Sequence, residues 1–351
     1  MVIQPAEVDV SVLVPVLNEQ AYLGTAVPAM LSQDYGGTIE VLFIDGGSTD
    51  GSLEILRGMA AEDSRIRLLA NPHRRTPQAL NIGLRHARGR FIVRMDAHTV
   101  YPPTYIAVGV ARLERPDAGG VVWVSGPQLA VGTNRGSRRV ALALSTPLGV
   151  GGARYRLAHQ AEVEVDSGFT GVWQRSTLEQ AGGWDEEFVN DQDFELAARI
   201  RAAGGRIVSL PEMAASYIPR DTLPRLAKQY LTYGRFRVKT AKKHPTSMRR
   251  SQLLPPALVL TAAASIIAPT PIRRAARLGI GLYAVVLAGT AARSATAGQT
   301  TDAVALPAVL ATMHVSYGVG VLLGCAQFGL PAEAILGGQR AAWRMGRAQR
   351  L

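Results

Sequence analysis

The chain has 351 residues, a single cysteine (Cys325) and a formal net charge of +11. That length holds one large domain with an appendage, or two domains, and a lone cysteine excludes a disulfide framework and suits a reducing compartment. The positive charge invites a nucleic-acid partner, but no RNA- or DNA-binding motif accompanies it, so we predict no nucleic-acid partner.

Strands and helices are predicted to alternate from the N-terminus to about residue 215. Apolar runs typical of buried strands are VDVSVLVPV (8–16), TIEVLFID (38–45), RIRLLA (65–70) and RFIVRM (90–95), and segments with helical spacing separate them. Apolar runs separated by helices predict a parallel sheet covered on both faces, whose ligands bind beyond the carboxyl ends of the strands. Five polar residues fall at those ends: Asn18, Glu19, Asp45, Asp96 and His98.

Asp45 ends the second predicted strand in FIDGGSTDGS (43–52). A carboxylate at that position accepts hydrogen bonds from a base or a ribose in dinucleotide-binding sheets. An ordinary strand-to-helix turn explains the same residues. VPVLNE (14–19) stands where a nicotinamide enzyme has GxGxxG after its first strand, which argues against that class.

Asp96 and His98 follow the fourth predicted strand in FIVRMDAHTVYPP (91–103). Because they are two residues apart on an extended segment, both side chains point to the same side. A carboxylate with an imidazole suits Mn²⁺ or Mg²⁺ when phosphate oxygens and water supply the other ligands. The alternative is a helix cap at Asp96 with a surface histidine.

A polar group, Asn190 to Asp193, opens an amphipathic helix in FVNDQDFELAARIRAAGG (188–205). Acidic residues at a helix N-terminus are favoured by the helix dipole, so capping explains them. A carboxylate near a site also serves as a general base toward a hydroxyl. Position alone leaves both interpretations open.

Three long uncharged stretches occur near the C-terminus: 251–272, 278–292 and 303–330, the last with His314 as its only Lys, Arg, His, Asp or Glu residue. A membrane-spanning helix needs about 20 apolar residues. The stretch 278–292 reaches that length only if Arg277 and Arg293 extend to the interface. A hydrophobic helical subdomain of a soluble enzyme is the alternative.

Charge suggests which stretches cross a membrane. If all three crossed from a cytoplasmic domain, PTPIRRAARL (269–278) would lie outside with three arginines, against the positive-inside rule. We therefore expect 251–272 to be interfacial or re-entrant, and 278–292 and 303–330 to form a transmembrane hairpin.

The flanking sequences are basic. Residues 225–250 hold nine Lys or Arg and no Asp or Glu, and 340–350 form a second basic group, which favours an anionic membrane surface as partner. Arg235 and Arg237 are also candidates for a diphosphate contact. The expected domains are a catalytic domain (1–220), a basic amphipathic interface segment (221–250), membrane helices (251–331) and a basic cytoplasmic tail (332–351).

Five motifs occur in one order: VPVLNE (14–19), IDGGSTDGS (44–52), NPHRRTPQALNIGL (71–84), VRMDAHTVYPPTY (93–105) and GGWDEEFVNDQDFELAARIRAAGG (182–205). Together they resemble the family-2 inverting glycosyltransferases. The DAH triplet, QDFEL and the RLAKQYLTYGRFR–KKHP tail look like the succinoglycan-type membrane glucosyltransferases of bacterial exopolysaccharide assembly. The resemblance implies an α/β nucleotide-diphospho-sugar transferase fold of the GT-A type, a mixed sheet with helices on both faces, followed by C-terminal hydrophobic membrane helices.

The resemblance also implies a donor site. Asp96 and His98 match the DxD motif that reaches the metal, Mn²⁺ or Mg²⁺, and the diphosphate. Leu80 stands where the family has an arginine, so the diphosphate contact is expected to pass to Arg74 or Arg75. The implied nucleotide-sugar contacts are Pro15, Glu19, Asp45, Arg75, Asn81 and Asp96.

For catalysis, the resemblance aligns Gln192 and Asp193 with the family's Glu-Asp pair. Asp193 is thus implied as the catalytic base, and Glu195 as the next acidic position. Because Gln192 replaces the usual glutamate, Asp191 is the nearby substitute carboxylate. The implied acceptor or diphosphate contacts are Gln192, Gln229, Arg235 and His244.

The implied reaction is inverting transfer of a hexose from a UDP-sugar to a lipid-linked (polyprenyl-pyrophosphate) acceptor. Glucose is the first choice of sugar, other UDP-hexoses and GDP-mannose remain open, and the product is a β-glycoside. The catalytic domain is expected on the cytoplasmic face of the membrane. One alternative is a polyprenyl-phosphate sugar synthase; another is an inactive basic membrane scaffold or nucleic-acid binder, which the Gln192 and Leu80 departures would suit.

Overall fold

The structure is a computed structural model and describes residues 8–116, 119–296 and 300–337. The strands are β1 Val10–Val16, β2 Ile39–Asp45, β3 Ile66–Ala70, β4 Phe91–Arg94, β5 Thr99–Val100, β6 Val121–Ser125, β7 Gln128–Ala130, β8 Val163–Glu164, β9 Gly171–Gln174, β10 Arg206–Ser209 and β11 Ala215–Tyr217. The helices are α1 Gln20–Leu31, α2 Ser52–Glu62, α3 Thr76–His86, α4 Tyr105–Leu113, α5 Arg135–Leu144, α6 Pro147–Val150, α7 Arg175–Gln180, α8 Gln192–Ala202, α9 Leu223–Lys243, α10 Leu254–Ile267, α11 Thr270–Thr296, α12 Thr300–Ala303 and α13 Leu306–Phe328.

The chain forms two compact units. The first extends to Leu129 and includes Leu157–Tyr217, and the second comprises Ala130–Arg156 and continues from Ile218. The segment 130–156, expected in the catalytic domain, thus belongs with the C-terminal helices. Its amphipathic helix α5 packs against α13, which explains the assignment. The basic group 340–350 lies outside the described residues.

An eight-stranded mixed sheet with the order β3-β2-β1-β4-β9-β6-β10-β8 forms the first unit. β1 pairs in parallel with β2 and β4, and β2 with β3, as the apolar runs predicted. β9 is antiparallel to both of its neighbours, which makes the sheet mixed. Because Val16 pairs with Asp45, β1 and β2 end together, and the loops that follow them share one edge of the sheet.

Helices cover both faces of this sheet. Val12 and Val14 of β1 belong to a buried cluster with Leu23 of α1. Leu13 points the other way, because a Cβ added at Gly83 of α3 would lie 3.0 Å from its side chain. Alternation along one fully buried strand therefore fixes helices on opposite faces, as expected for a buried parallel sheet.

The second unit is helical. Three of its described segments are long and apolar enough to cross a membrane: Arg250–Ile267, Thr270–Thr296 and Thr301–Phe328. The break falls at Ala268 and Pro269, earlier than expected from the sequence, because Pro lacks the N–H that would continue α10. The three arginines between the first two uncharged stretches therefore lie within α11.

The basic helix α9 packs along the apolar helix α13. A Cβ added at Gly320 or Gly324 of α13 would overlap a backbone carbonyl oxygen of α9, from Leu231 or Arg235 respectively. Small residues allow two helix backbones to approach this closely. The segment expected to lie free on a membrane surface is thus partly covered by protein.

Candidate active site

The loops after β1 and β2 are joined by hydrogen bonds at the carboxyl edge of the sheet. Asn18 has a φ of 58°, in the left-handed region that Asn tolerates. Its N–H donates to the Ser48 hydroxyl (2.9 Å), and its side-chain oxygen accepts from the Thr49 N–H (2.8 Å). Asp45 accepts from the Gly47 N–H (2.9 Å) and the Ser48 hydroxyl (2.6 Å). The buried Asp45 carboxylate therefore shapes this turn at the edge where a nucleotide was expected.

His98 and Glu19 meet across two loops. The His98 Nδ1 lies 3.0 Å from a Glu19 carboxylate oxygen, and the Tyr22 ring lies edge-on to the imidazole at 6.1 Å. The hydrogen bond to Glu19 raises the pKa of His98, against the opposing effect of burial. His98 is still 46% exposed, so its imidazole is accessible to a ligand.

Asp96 is held from two directions just after β4. Arg94 donates from Nε and Nη2 to the two Asp96 carboxylate oxygens, at 3.0 and 3.2 Å. The Asp96 N–H donates to the Tyr101 hydroxyl at 2.8 Å. The short strand β5 follows, and no helix begins here, so a helix cap does not explain Asp96.

Asp193 lies in the first turn of α8 and reaches the same arginine. Arg94 Nη1 donates to an Asp193 carboxylate oxygen at 2.6 Å. The chain enters α8 through Asp191, whose φ of 69° turns the backbone sharply before the helix. The turn aims the first carboxylate of the helix at the end of β4, across 99 residues of sequence.

Charge and burial set the proton affinity of Asp193. Burial is the largest influence and raises its pKa to about 7; Arg94 opposes this, while Asp96 and Asp191 add to it. For Arg94, burial favours loss of charge, but Asp193 and Asp96 outweigh it and raise its pKa. Near neutral pH, Asp193 can therefore exchange a proton while Arg94 stays charged.

Hydrogen bonds from two side chains, Arg199 and Asn81, support the loop before α8. Arg199 donates to the Glu195 carboxylate (2.7 Å) and to a backbone oxygen of the preceding loop. Asn81 donates to the Trp184 carbonyl (2.8 Å) and to the Glu186 carboxylate (2.9 Å), and accepts from the Trp184 N–H (2.8 Å). The Asn81 amide thus holds this loop.

The other predicted contacts fall in two groups. Pro15 lies half-buried near the end of β1, Arg75 is an exposed residue at the N-cap before α3, and Gln192 is the first residue of α8. The first unit thus brings together Glu19 with His98, and Asp96 with Asp193. The remaining candidates belong to the second unit: Gln229, Arg235 and His244.

Asp96 and His98 can be compared with the needs of a divalent cation. Within the described ranges, no three His, Cys, Asp or Glu side chains lie together as a complete metal site. A carboxylate oxygen has two lone pairs, so Asp96 keeps acceptor sites beside its bonds to Arg94. With phosphate oxygens and water as further ligands, one carboxylate and one imidazole suit Mn²⁺ or Mg²⁺, and the residues fit.

Arg94 was not expected from the sequence as a site residue. It is the last residue of the apolar strand Phe91–Arg94 and is 4% exposed. A buried guanidinium is expensive unless it is paired. A charged residue inside the run FIVRM, two positions before a candidate metal ligand, is the signal that could have identified it.

Comparisons with known proteins identify relatives of this chain. The model of Glycosyl transferase family 2 matches residues 11–161. Succinoglycan biosynthesis protein ExoA of Rhizobium meliloti is 31% identical over 323 residues, covering 88% of this chain and 92% of that protein.

A second relative is the Methanococcus voltae dolichyl N-acetyl-alpha-D-glucosaminyl phosphate 3-beta-D-2,3-diacetamido-2,3-dideoxy-beta-D-glucuronosyltransferase. It is 23% identical over 231 residues, covering 64% of this chain and 71% of that protein. The solved mannosyltransferase PcManGT of Pyrobaculum calidifontis, in complex with GDP-Man and Mn²⁺, aligns over 92% of this chain and 90% of its own, with a TM-score of 0.51 and 22% identity. That likeness is one of fold, and it confirms the expected GT-A-type architecture.

Proposed function

This chain belongs to glycosyltransferase family 2, and we propose that it transfers a hexose, glucose as the first choice, from UDP to a lipid-linked saccharide during polysaccharide or glycolipid assembly. The succinoglycan biosynthesis relative supports the pathway class. The observation that carries the catalytic assignment is Asp193. Its carboxylate is partly buried, with 18% of the side chain exposed, has a pKa of about 7, and is joined through Arg94 to the candidate metal ligand Asp96.

The proposed reaction is a single displacement with inversion. An acceptor hydroxyl oxygen attacks the anomeric carbon from the face opposite the diphosphate, and its proton passes to a carboxylate oxygen of Asp193. The bond between that carbon and the diphosphate oxygen breaks, and UDP leaves with the electron pair. A base whose pKa lies near the working pH suits this proton transfer, and no side chain becomes a covalent nucleophile.

Other residues of the first unit bind the donor in this scheme. Asp45 and Pro15 contact the uridine, and Arg75 contacts the diphosphate. A divalent cation, when bound by Asp96 and His98, supplies positive charge for the departing diphosphate. Glu19 orients the His98 imidazole through their 3.0 Å contact. We assign Asn81 the role of supporting the loop 184–186.

Membrane attachment is part of the proposal. The outward surfaces of α10 and α11 are apolar: Ile267 is 81% exposed and Leu278 76% exposed. In the most apolar part of each of these two segments only 6% of the residues are buried in the protein, against 39% in the segment that contains α13. We assign α10 and α11 to the lipid, because exposed apolar surface of this extent marks a membrane contact.

The contacts of α13 argue against its crossing. Near its beginning, Asp302 lies 3.4 Å from Arg139 of α5, and near its end Arg235 of α9 bonds to Gln327. A crossing α13 would carry the charges of both helices to membrane depth, at about 3 kcal/mol per arginine. This proposal differs from the hairpin of 278–292 with 303–330 that the sequence led us to expect.

Cysteine labelling distinguishes the two arrangements. In a Cys325→Ser background, Thr301→Cys and Glu333→Cys flank α13 in the chain. Our assignment predicts that an impermeant maleimide labels both on the same side of sealed vesicles. Labelling of the two cysteines on opposite sides would restore the hairpin expected from the sequence.

Acceptor contacts are proposed on the basic helix. Gln229 and Arg235 lie on α9, and His244 lies at its end. Charged and amide donors of this kind recognise pyrophosphate oxygens. Such contacts suit a polyprenyl-pyrophosphate acceptor at the cytoplasmic membrane face.

A donor panel tests the function. Purified protein in detergent is given UDP-sugars and GDP-mannose with lipid-linked acceptors, and nucleotide release and lipid products are measured. One preferred UDP-hexose and a product with an added sugar on a saccharide are expected. Transfer to the bare lipid phosphate would indicate a polyprenyl-phosphate sugar synthase. Absence of both turnover and UDP binding would favour the inactive scaffold.

A further inference from the structure

Arg94 is a charged side chain in an otherwise apolar strand. It ends β4 after Phe91, Ile92 and Val93, and its side chain is 4% exposed. Burial of a guanidinium strongly disfavours the fold unless carboxylates and hydrogen bonds compensate for the lost hydration. A methionine or leucine would fill this position without that cost, so the charge calls for an explanation.

The guanidinium divides its donors between two carboxylates from distant parts of the chain. Nε and Nη2 lie 3.0 and 3.2 Å from the two oxygens of Asp96, and Nη1 lies 2.6 Å from Asp193. The Phe169 ring lies 5.7 Å from the guanidinium carbon. Because the guanidinium is planar and its donors are fixed relative to one another, these contacts determine the relative positions of the two carboxylates.

We propose that Arg94 is a positioning residue that fixes the proton acceptor, Asp193, relative to the diphosphate side of the site at Asp96. The inference rests on the proposed function, in which these two carboxylates serve opposite ends of the bond that breaks. Without a cation between them, the carboxylates would repel each other and separate. With Arg94, both carboxylates are held by one guanidinium.

The position requires arginine rather than positive charge alone. Lysine would keep the charge but has a single nitrogen, which cannot maintain three contacts in a plane. The Asp96 N–H keeps its 2.8 Å bond to the Tyr101 hydroxyl, so Arg94→Lys should leave donor binding nearly intact and misplace Asp193. Displacement of a catalytic group by about 1 Å costs on the order of 100-fold in rate.

The experiment is a double-mutant cycle on the full-length protein in detergent. We measure kcat and the KM for the UDP-sugar in the wild type, Arg94→Lys, Asp193→Asn and the double variant. We expect Arg94→Lys to lower kcat by about 100-fold with KM changed less than about threefold. In the Asp193→Asn background the same change should add little, because Arg94 acts through the carboxylate that is already lost.

A matched control separates positioning from folding. Arg112 is also buried, at 8% side-chain exposure, and donates to both carboxylate oxygens of Glu162 at 2.6 and 2.9 Å. Arg112→Lys should cause a comparable change in thermal midpoint without the loss of kcat. If kcat falls together with the thermal midpoint in both variants, Arg94 serves the fold and the proposal is overturned.

Other outcomes also decide the question. The proposal is overturned if Arg94→Lys leaves kcat unchanged. It is also overturned if Arg94→Lys lowers kcat by the same factor in the wild-type and Asp193→Asn backgrounds. If Arg94→Lys does not fold, Arg94→Gln takes its place, and failure of both variants to fold would assign Arg94 to the fold alone. Wild-type transfer tests the proposed function separately, so the two failures remain distinguishable.

Discussion

The pKa of Asp193 predicts an acid limb in the pH–rate profile. As a base, Asp193 works only when deprotonated, and with a pKa of about 7 its active fraction falls as the pH falls through neutrality. At pH 6 about a tenth of the molecules would hold the carboxylate, against about nine tenths at pH 8. An aspartate with its ordinary pKa of 3.8 would be fully ionised over that range, and the profile would be flat.

The assay is kcat/KM for the UDP-sugar between pH 5.5 and 8.5 at constant ionic strength. This quantity reports the pKa values of the free enzyme's essential groups. His98 complicates the profile, because its pKa is also raised and a metal ligand must be neutral to bind. A tenfold change in metal concentration distinguishes the titration of Asp193 from that of His98, because only an acid limb that arises from His98 shifts when the metal concentration changes.

The result that would refute this reasoning is a flat profile from pH 5.5 to 8 at saturating metal. An acid limb that shifts fully with metal concentration would likewise assign the titration to His98. An acid limb near pH 7 supports Asp193 as the base if metal concentration does not move it. The residual activity of Asp193→Asn should then show no such limb.

Two further predictions concern stability, both measured by denaturant unfolding in detergent. Glu40→Ala removes a buried carboxylate whose pKa is raised by burial but lowered overall by bonds from Ser11, Arg67 and Arg88. It should cost about 3 kcal/mol at pH 7. This loss should shrink as the pH falls below Glu40's ordinary pKa of 4.5, and an unchanged loss in acid would contradict the ion pairing. Gly320→Leu should separate α13 from α9 and lower the unfolding midpoint, whereas Gly289→Leu, with open space around it, should not.

Much of the sheet was predictable because its strands are buried on both faces. Continuous apolar runs with capped or glycine-containing turns between them have few other interpretations, and β1 to β4 follow them closely. The polar residues at their ends were then predicted to share an edge. The structure has Asp45 and the Glu19–His98 pair there.

The partners of those residues were not predictable in the same way. The contact between Arg94 and Asp193 joins residues 99 positions apart, and neither local propensity nor periodicity carries that information. The positive φ of Asp191, two residues before Asp193, likewise does not follow from the periodicity of α8. Motif order identified the carboxylates, whereas only the fold shows the arginine that joins them.

Hydropathy was least informative in the second unit. By length and composition the segment that contains α13 is a candidate membrane span, and in the fold its glycines pack against α9 and its beginning lies beside Arg139. Apolar residues buried against protein and apolar residues exposed to lipid give the same sequence pattern. Burial in the fold distinguishes α13 from α10 and α11.

The most direct measurement of the central claim compares transfer and donor binding in the wild type and Asp193→Asn. Sugar transfer to a lipid-linked acceptor and UDP affinity are measured with Mn²⁺ or Mg²⁺, and again with EDTA. The account predicts that Asp193→Asn lowers kcat by about 100-fold or more while UDP affinity persists, and that EDTA abolishes both in the wild type. Full transfer by Asp193→Asn, or transfer unaffected by EDTA, would contradict it.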